Sequence, residues 1–86
     1  MNPYTQTSNG DYIIREFSPN IQSDELVWHR DRNDRVVEVL SGTNWGLQME
    51  DKLPMELKVG DVLEIKAETY HRVFKGIDTL KLKIKE

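Results

Sequence analysis

The sequence of 86 residues contains no cysteine. This absence excludes disulfide bonds, metal sites built from thiolates and catalysis by a cysteine nucleophile. Histidine is scarce as well, since His29 and His71 are the two in the chain. Few side chains are therefore left for metal binding or for acid–base chemistry near neutral pH.

An excess of positive charge is also missing. Lys and Arg number 12 against 15 Asp and Glu, and the formal net charge of −3 is atypical of nucleic-acid-binding domains, which present a basic face. No apolar run approaches the length of a membrane span. Residues 1–10 lack the basic and apolar regions of a secretory signal peptide. We expect a cytoplasmic protein that binds neither nucleic acid nor membranes.

Helical periodicity is absent, whereas short segments typical of strands recur about every ten residues. Near the C-terminus, apolar residues alternate with lysines over residues 80–85, which indicates a strand with one buried face. The pattern predicts an all-β fold, a small antiparallel barrel or sandwich. The other predicted extended segments are Tyr12–Phe17 and residues 25–31, 35–40, 45–49, 53–59 and 62–66.

The sequence shows no internal repeat and no linker, so we expect one domain over residues 1–86. Its core is expected within residues 12–86, with residues 1–10 as a flexible or edge segment. A chain this short buries a limited core, which favours stabilisation by a metal or by a second subunit. We therefore predict a homodimer, with Val36 and Leu40 on the outward phase of their strand as candidate contact residues.

His29 and Asp31 are separated by one residue on a predicted strand, so their side chains project from the same face. Together with His71, they would form a 2-His-1-carboxylate set that leaves coordination positions open. Imidazole and carboxylate ligands suit a divalent transition metal such as Fe, Mn, Ni or Zn. The alternative is that the three side chains form hydrogen bonds in the interior without a metal.

Two segments give the chain a resemblance to small single-domain cupins. Residues 29–42 resemble the first cupin motif, with His29 and Asp31 followed by a strand that ends at Gly42. Residues 60–71 resemble the second motif, which begins with glycine and ends with the ligand His71. The resemblance covers residues 25–86 and implies a double-stranded β-helix, a jelly roll with a metal site inside it.

Four positions depart from the cupin pattern: Lys66 and Glu68 replace the proline and glycine of the turn in the second motif, and Asp31 and Arg35 lie at the predicted metal site. Asp31 stands where the family has its second histidine, and it can still bind a metal. Arg35 stands where the family has a glutamate ligand, and a guanidinium cannot bind a cation. Arg35 could instead bind a carboxylate or phosphate group of a ligand, neutralise Asp31, or form an ion pair near the surface.

Gln48 and Tyr70 complete the candidate ligand-binding residues with Arg35. Gln48 could donate hydrogen bonds into a pocket or face the solvent. Tyr70 could form an aromatic wall beside His71, although strict alternation would turn it to the opposite side. The same alternation favours an outward position for Trp28.

These residues support two hypotheses about function. The first is a metal-binding cupin with an interior pocket for a small polar molecule, sugar-like or carboxylate, and an activity of the oxygenase or isomerase type. The second is a metal-free binding or sensing module that uses Arg35 and both histidines without catalysis. No organic cofactor is expected under either hypothesis.

Overall fold

The computed structural model describes residues 4–21 and 26–86, and the secondary structure over these ranges consists of strands without a helix. A five-stranded antiparallel sheet has the order β1-β2-β8-β3-β6, and a three-stranded antiparallel sheet has the order β5-β4-β7. The prediction of an all-β fold is confirmed. The strands are β1 (Thr5–Asn9), β2 (Tyr12–Phe17), β3 (Arg35–Ser41), β4 (Gly46–Met49), β5 (Met55–Glu56), β6 (Val62–Ile65), β7 (His71–Phe74) and β8 (Leu80–Lys85).

The core lies between the two sheets, because the inward residues of both contribute to one hydrophobic cluster. Strand β8 is central in the larger sheet and alternates as predicted, with Leu80, Leu82 and Ile84 buried. Trp45 is fully buried between β3 and β4. Over the described residues, no helix is present that is long and apolar enough to cross a membrane.

The N-terminal segment forms an edge strand. Strand β1 pairs with β2 along its whole length, and the hairpin turns at Gly10 and Asp11. Gly10 adopts a φ of 67°, a left-handed conformation that glycine tolerates without a steric penalty. Of the two possibilities expected for residues 1–10, the edge position holds for Thr5–Asn9.

Two parts of the predicted strand pattern differ from the structure. The segment 25–31 was predicted to be a strand, but its described residues 26–31 form no regular strand. Their one strand-like pairing is an isolated antiparallel bridge between His29 and His71. In addition, the segment after His71 forms strand β7, which the sequence pattern did not indicate. Residue 25 lies outside the described residues.

The homodimer stays a prediction. Its expected contact residues lie on the outer side of β3, where Val36 is 42 % exposed and Leu40 is half-buried.

A hydrogen-bonded corner fixes Trp45 in the core. The carboxylate of Asp78 accepts hydrogen bonds from the backbone N–H of Thr43 (2.7 Å) and from its hydroxyl (2.8 Å). The indole Nε1 of Trp45 donates to the backbone carbonyl of Asp78 (2.8 Å). One short segment therefore holds both the loop before β4 and the largest buried side chain.

We expect Asp78→Ala to lower the thermal stability at neutral pH and to lose this effect in acid. The two hydrogen bonds from Thr43 hold the pKa of Asp78 below its ordinary value. A carboxyl group with a lower pKa in the folded state contributes stability above its unfolded pKa of about 4, and this stability disappears as the pH falls through the folded value.

Melting temperatures of the wild type and of Asp78→Ala between pH 7 and pH 2 test this expectation. Asp11→Ala, at an exposed turn position, is the control, and its melting temperature should change with pH as that of the wild type does. A constant gap between wild type and Asp78→Ala across the whole pH range would contradict the assigned role of the charge.

Candidate metal centre and ligand cavity

His29, Asp31 and His71 lie together, with one possible ligand atom of each residue within 4.8 Å of the others. The backbone produces this arrangement. His29 N–H donates to the carbonyl of His71 (3.0 Å), and His71 N–H donates to the carbonyl of His29 (2.8 Å). The imidazole rings consequently approach to 4.2 Å between centroids at an angle of 62°. His29 is exposed and His71 is buried, so the cluster runs from the surface inward.

Both histidines have their Nδ1 atoms bonded to the backbone. Nδ1 of His71 lies 2.9 Å from the carbonyl oxygen of Thr69, and Nδ1 of His29 lies 3.2 Å from that of Val27. A carbonyl oxygen only accepts, so each Nδ1 is the protonated donor and each neutral ring keeps its lone pair on Nε2. Metal-binding histidines have this same arrangement, in which a backbone carbonyl fixes the ring and its tautomer.

Asp31 faces the lone pair of His71. Its Oδ2 atom lies 3.5 Å from Nε2 of His71, and it is buried without a hydrogen-bond partner among the described residues. Burial lowers the pKa of His71, and neighbouring His29 and Arg35 act in the same direction. Two atoms that both carry lone pairs thus point at each other, an arrangement that favours a cation between them.

Arg35 points inward and pairs with Asp31. Its Nη1 lies 3.4 Å from Oδ1 of Asp31, and its Nη2 lies 2.9 Å from Oε2 of Glu86. The contact with Asp31 corresponds to the second of the three alternatives for Arg35, and its position on the cavity wall leaves ligand binding by Arg35 a prediction. The pair engages Oδ1 and leaves Oδ2 of Asp31 facing His71.

A cavity of about 350 Å³ adjoins the cluster. Its walls are mostly apolar, and its polar wall residues include the two clustered histidines and two arginines. The apolar lining comes from both sheets. The polar lining residues are His29, Asp31, Arg35, His71, Tyr4 and Arg15, and the apolar ones include Phe17, Leu26, Val37, Leu47, Leu57, Leu63, Ile65, Val73, Leu82 and Ile84.

Arg15 is the lining residue that the sequence analysis missed. It lies in β2 between the inward-facing residues Ile13 and Phe17, at a position where the alternation predicts an apolar side chain. A charged residue in the buried phase of a strand was the available signal.

Gln48 and Tyr70 are not among the residues that line this cavity. Gln48 accepts a hydrogen bond from Nε of Arg72 and donates one to the carbonyl of Lys52. Tyr70 is exposed, with the guanidinium of Arg30 5.3 Å from its ring centroid. The outward position expected for Tyr70 from strand alternation agrees with this placement.

Comparison with known proteins shows the fold. No family model and no curated protein match the sequence. Among solved structures, a cupin-2 domain containing protein from Shewanella frigidimarina is 22 % identical, with 96 % of this chain and 78 % of that chain covered and a TM-score of 0.66. A protein from Ralstonia eutropha, provisionally assigned as a mannose-6-phosphate isomerase, is 24 % identical, with 94 % and 79 % covered and a TM-score of 0.68.

Longer chains also contain this fold. The Fe(II) form of HppE, in complex with substrate, is 13 % identical, with 94 % of this chain covered and a TM-score of 0.67. The chain spans about half the length of HppE and about a third of the length of a matched DMSP lyase chain. The cupin fold implied by the two sequence motifs is confirmed by these structures, whose low identities bear on the fold alone.

Proposed function

From its cupin fold and its clustered histidines, we propose that this chain binds a divalent transition metal through His29, Asp31 and His71. The adjoining cavity would hold a small molecule beside the metal. Fe, Mn, Ni and Zn all accept imidazole and carboxylate ligands. The metal-bound state of HppE, a structure with the same fold, supports the proposal.

The observation that carries the proposal is the contact between Asp31 and His71. A carboxylate oxygen and an unprotonated imidazole nitrogen 3.5 Å apart repel each other, and Arg35 relieves this only in part, because its guanidinium pairs with Oδ1 and not with Oδ2. The buried position of this oxygen increases the cost of leaving it without a partner. A metal ion bound by both atoms would remove that cost.

A metal bound by three protein ligands would serve as a Lewis acid or a redox centre for a substrate in its open positions. The protein contributes the rest of the chemistry. The backbone carbonyls of Val27 and Thr69 hold the two rings with Nε2 available. The apolar walls of the cavity would limit the access of water to a bound molecule. Reactions of the isomerase or oxygenase type are compatible with such a site.

A specific contact favours a second candidate function, a metal-free binding module. Arg35 already provides a positive charge 3.4 Å from Oδ1 of Asp31. This charge opposes a dication and can bind an anionic ligand instead. Under this alternative, His29 and His71 would form hydrogen bonds to the ligand.

Metal uptake by the purified protein decides between the two candidates. The protein is stripped with a chelator, titrated separately with Fe(II), Mn(II), Ni(II) and Zn(II), and analysed for bound metal. We expect about one equivalent of at least one metal in the wild type. We expect His71→Ala and His29→Ala to lose most of it, because each removes one of three ligands.

Arg30→Ala is the matched control, since Arg30 is a neighbouring exposed residue whose guanidinium pairs with Glu68 and not with the cluster. It should bind metal as the wild type does. Absence of uptake for all four metals, or equal uptake by the two histidine variants and the wild type, would rule out this site and favour the metal-free module.

A further inference from the structure

Arg15 carries a buried charge that forms no ion pair with the side chains that the structure describes. Its side chain is 9 % exposed and lines the cavity from β2. Among the described residues, no carboxylate lies within ion-pair distance of its guanidinium. Burying an unpaired charge is costly, and natural proteins retain such groups where a partner binds.

Neutral neighbours hold the guanidinium in place. Oε1 of Gln6 accepts hydrogen bonds from Nε (3.0 Å) and Nη2 (2.7 Å) of Arg15. The ring of Tyr4 lies under the guanidinium, 4.0 Å from centroid to Cζ. These contacts fix the orientation of Arg15, but neither Gln6 nor Tyr4 supplies the negative charge that a buried guanidinium requires.

Arg15 and Arg35 differ in this respect. Arg35 forms ion pairs with Asp31 and Glu86, whereas these two carboxylates act on Arg15 from beyond ion-pair distance. Burial lowers the pKa of Arg15, because desolvation disfavours the charged form. An anion in the cavity would compensate the charge of Arg15 without displacing an existing ion pair.

The cavity walls restrict what the rest of the ligand can be. Apolar side chains from both sheets face the space beside Arg15, among them Phe17, Leu47 and Leu82. A sugar carries hydroxyl groups around its whole ring, and those that face the apolar walls would lack hydrogen-bond partners, at a cost of roughly 1–3 kcal/mol each. The volume of about 350 Å³ lies at the lower end of small-molecule pockets, so the ligand is small.

We propose that the cavity binds a small organic carboxylate with an apolar body, and that the buried guanidinium of Arg15 binds its carboxylate group. This inference names a ligand class for the proposed metal-and-cavity site and in that sense rests on it. The contact with Arg15 does not itself need a metal, because the guanidinium provides the charge and the hydrogen-bond donors.

Benzoate is the first probe and benzamide is its uncharged match. Binding to chelator-treated protein is measured by calorimetry, in the wild type and in Arg15→Gln, Arg15→Lys and Lys81→Gln. Lys81 lies on the outer face of β8, paired with Glu16, so Lys81→Gln makes the same change of charge outside the cavity.

We expect benzoate to bind the wild type and benzamide to bind at least about tenfold more weakly. Arg15→Gln should weaken benzoate binding by about tenfold or more, Arg15→Lys should retain part of it, and Lys81→Gln should leave it unchanged. Equal binding of benzoate and benzamide, or wild-type affinity for benzoate in Arg15→Gln, would overturn the proposal. The comparison of benzoate with benzamide needs no variant, so it holds even if Arg15→Gln fails to fold.

Repeating the titration in His71→Ala separates this proposal from the proposed metal site. Benzoate should still bind His71→Ala if Arg15 carries the contact. Binding that requires added metal and is unaffected by Arg15→Gln would assign the carboxylate to the metal, and the role of Arg15 would be wrong. Absence of metal uptake together with benzoate binding through Arg15 would reject the metal site and keep the carboxylate site.

Discussion

Replacing Arg35 by glutamate is expected to raise the affinity for a divalent transition metal by about a hundredfold or more. In the wild type, the guanidinium of Arg35 lies 3.4 Å from Oδ1 of Asp31 and therefore beside any cation that Asp31 binds. Arg35→Glu removes a repelling charge and adds a carboxylate where Arg35 now points into the cavity. The three-ligand set would become a set of four.

The size of the expected effect follows from electrostatics. Two unit charges about 4 Å apart interact by about 4 kcal/mol at an effective dielectric constant of about 20, and a dication doubles the interaction. A hundredfold change in affinity corresponds to about 2.7 kcal/mol. Even with most of the repulsion screened by solvent, the change in charge is large enough to produce it.

Competition with a coloured chelator measures the affinity for Zn(II) or Fe(II) in the wild type, Arg35→Glu and Arg35→Met. Arg35→Met removes the charge without adding a ligand, so its affinity should fall between the other two. Arg30→Glu, at an exposed neighbouring position, is the control and should change the affinity little. If Arg35→Glu binds metal no better than Arg35→Met, the new carboxylate does not reach the metal.

The fold was predictable where burial alternates along a strand. In β8, apolar and lysine side chains alternate without interruption, and the structure places them on opposite faces. Strand β1 was harder, because all five of its residues are exposed and polar and its pairing with β2 supplies backbone hydrogen bonds that no side-chain pattern records. Strand β7 was missed because its buried phase consists of His71 and Val73, so a single apolar residue marks its inward face.

The clustering of His29, Asp31 and His71 was predictable because residues 29–42 and 60–71 resemble the two cupin motifs, which implies that their ligand residues meet. The roles of the surrounding residues were less predictable. The ion pair between Arg35 and Glu86 joins residues 51 positions apart in the chain, and such a contact has no local signature. Arg15 had a local signature, a charge in the buried phase of β2, but its meaning depends on a cavity that only the packed sheets create.

Replacing Gly76 by alanine is expected to be among the most destabilising single changes in this protein. A Cβ atom at position 76 would collide with the carbonyl oxygen of Thr43 and with the indole of Trp45, 2.7 Å from its Nε1 atom. Thr43 cannot yield easily, because its carbonyl accepts a hydrogen bond from Ile77 N–H (3.1 Å). Trp45 is fully buried and its Nε1 is bonded to Asp78, so it has no space into which to move.

Overpacking of a buried site costs about 1–3 kcal/mol, and here the collision also breaks at least one hydrogen bond worth about 1 kcal/mol. We therefore expect a loss of about 3 kcal/mol, which lowers the melting temperature of a domain of this size by more than about 10 °C. Gly10→Ala is the matched control, because no atom lies within 4 Å of the added methyl group. Its left-handed φ of 67° accounts for a cost of about 1–2 kcal/mol.

Urea unfolding of both variants gives the free energies of unfolding directly. Gly10→Ala also carries the cost of its left-handed φ, so the difference between Gly76→Ala and Gly10→Ala is a lower bound on the steric cost at position 76. Equal losses in the two variants would show that the segment carrying Gly76 can move away from Trp45. A larger loss in Gly76→Ala would establish that the corner formed by Thr43, Trp45 and Asp78 is rigid, and that the absence of a side chain at position 76 permits the indole to occupy the core.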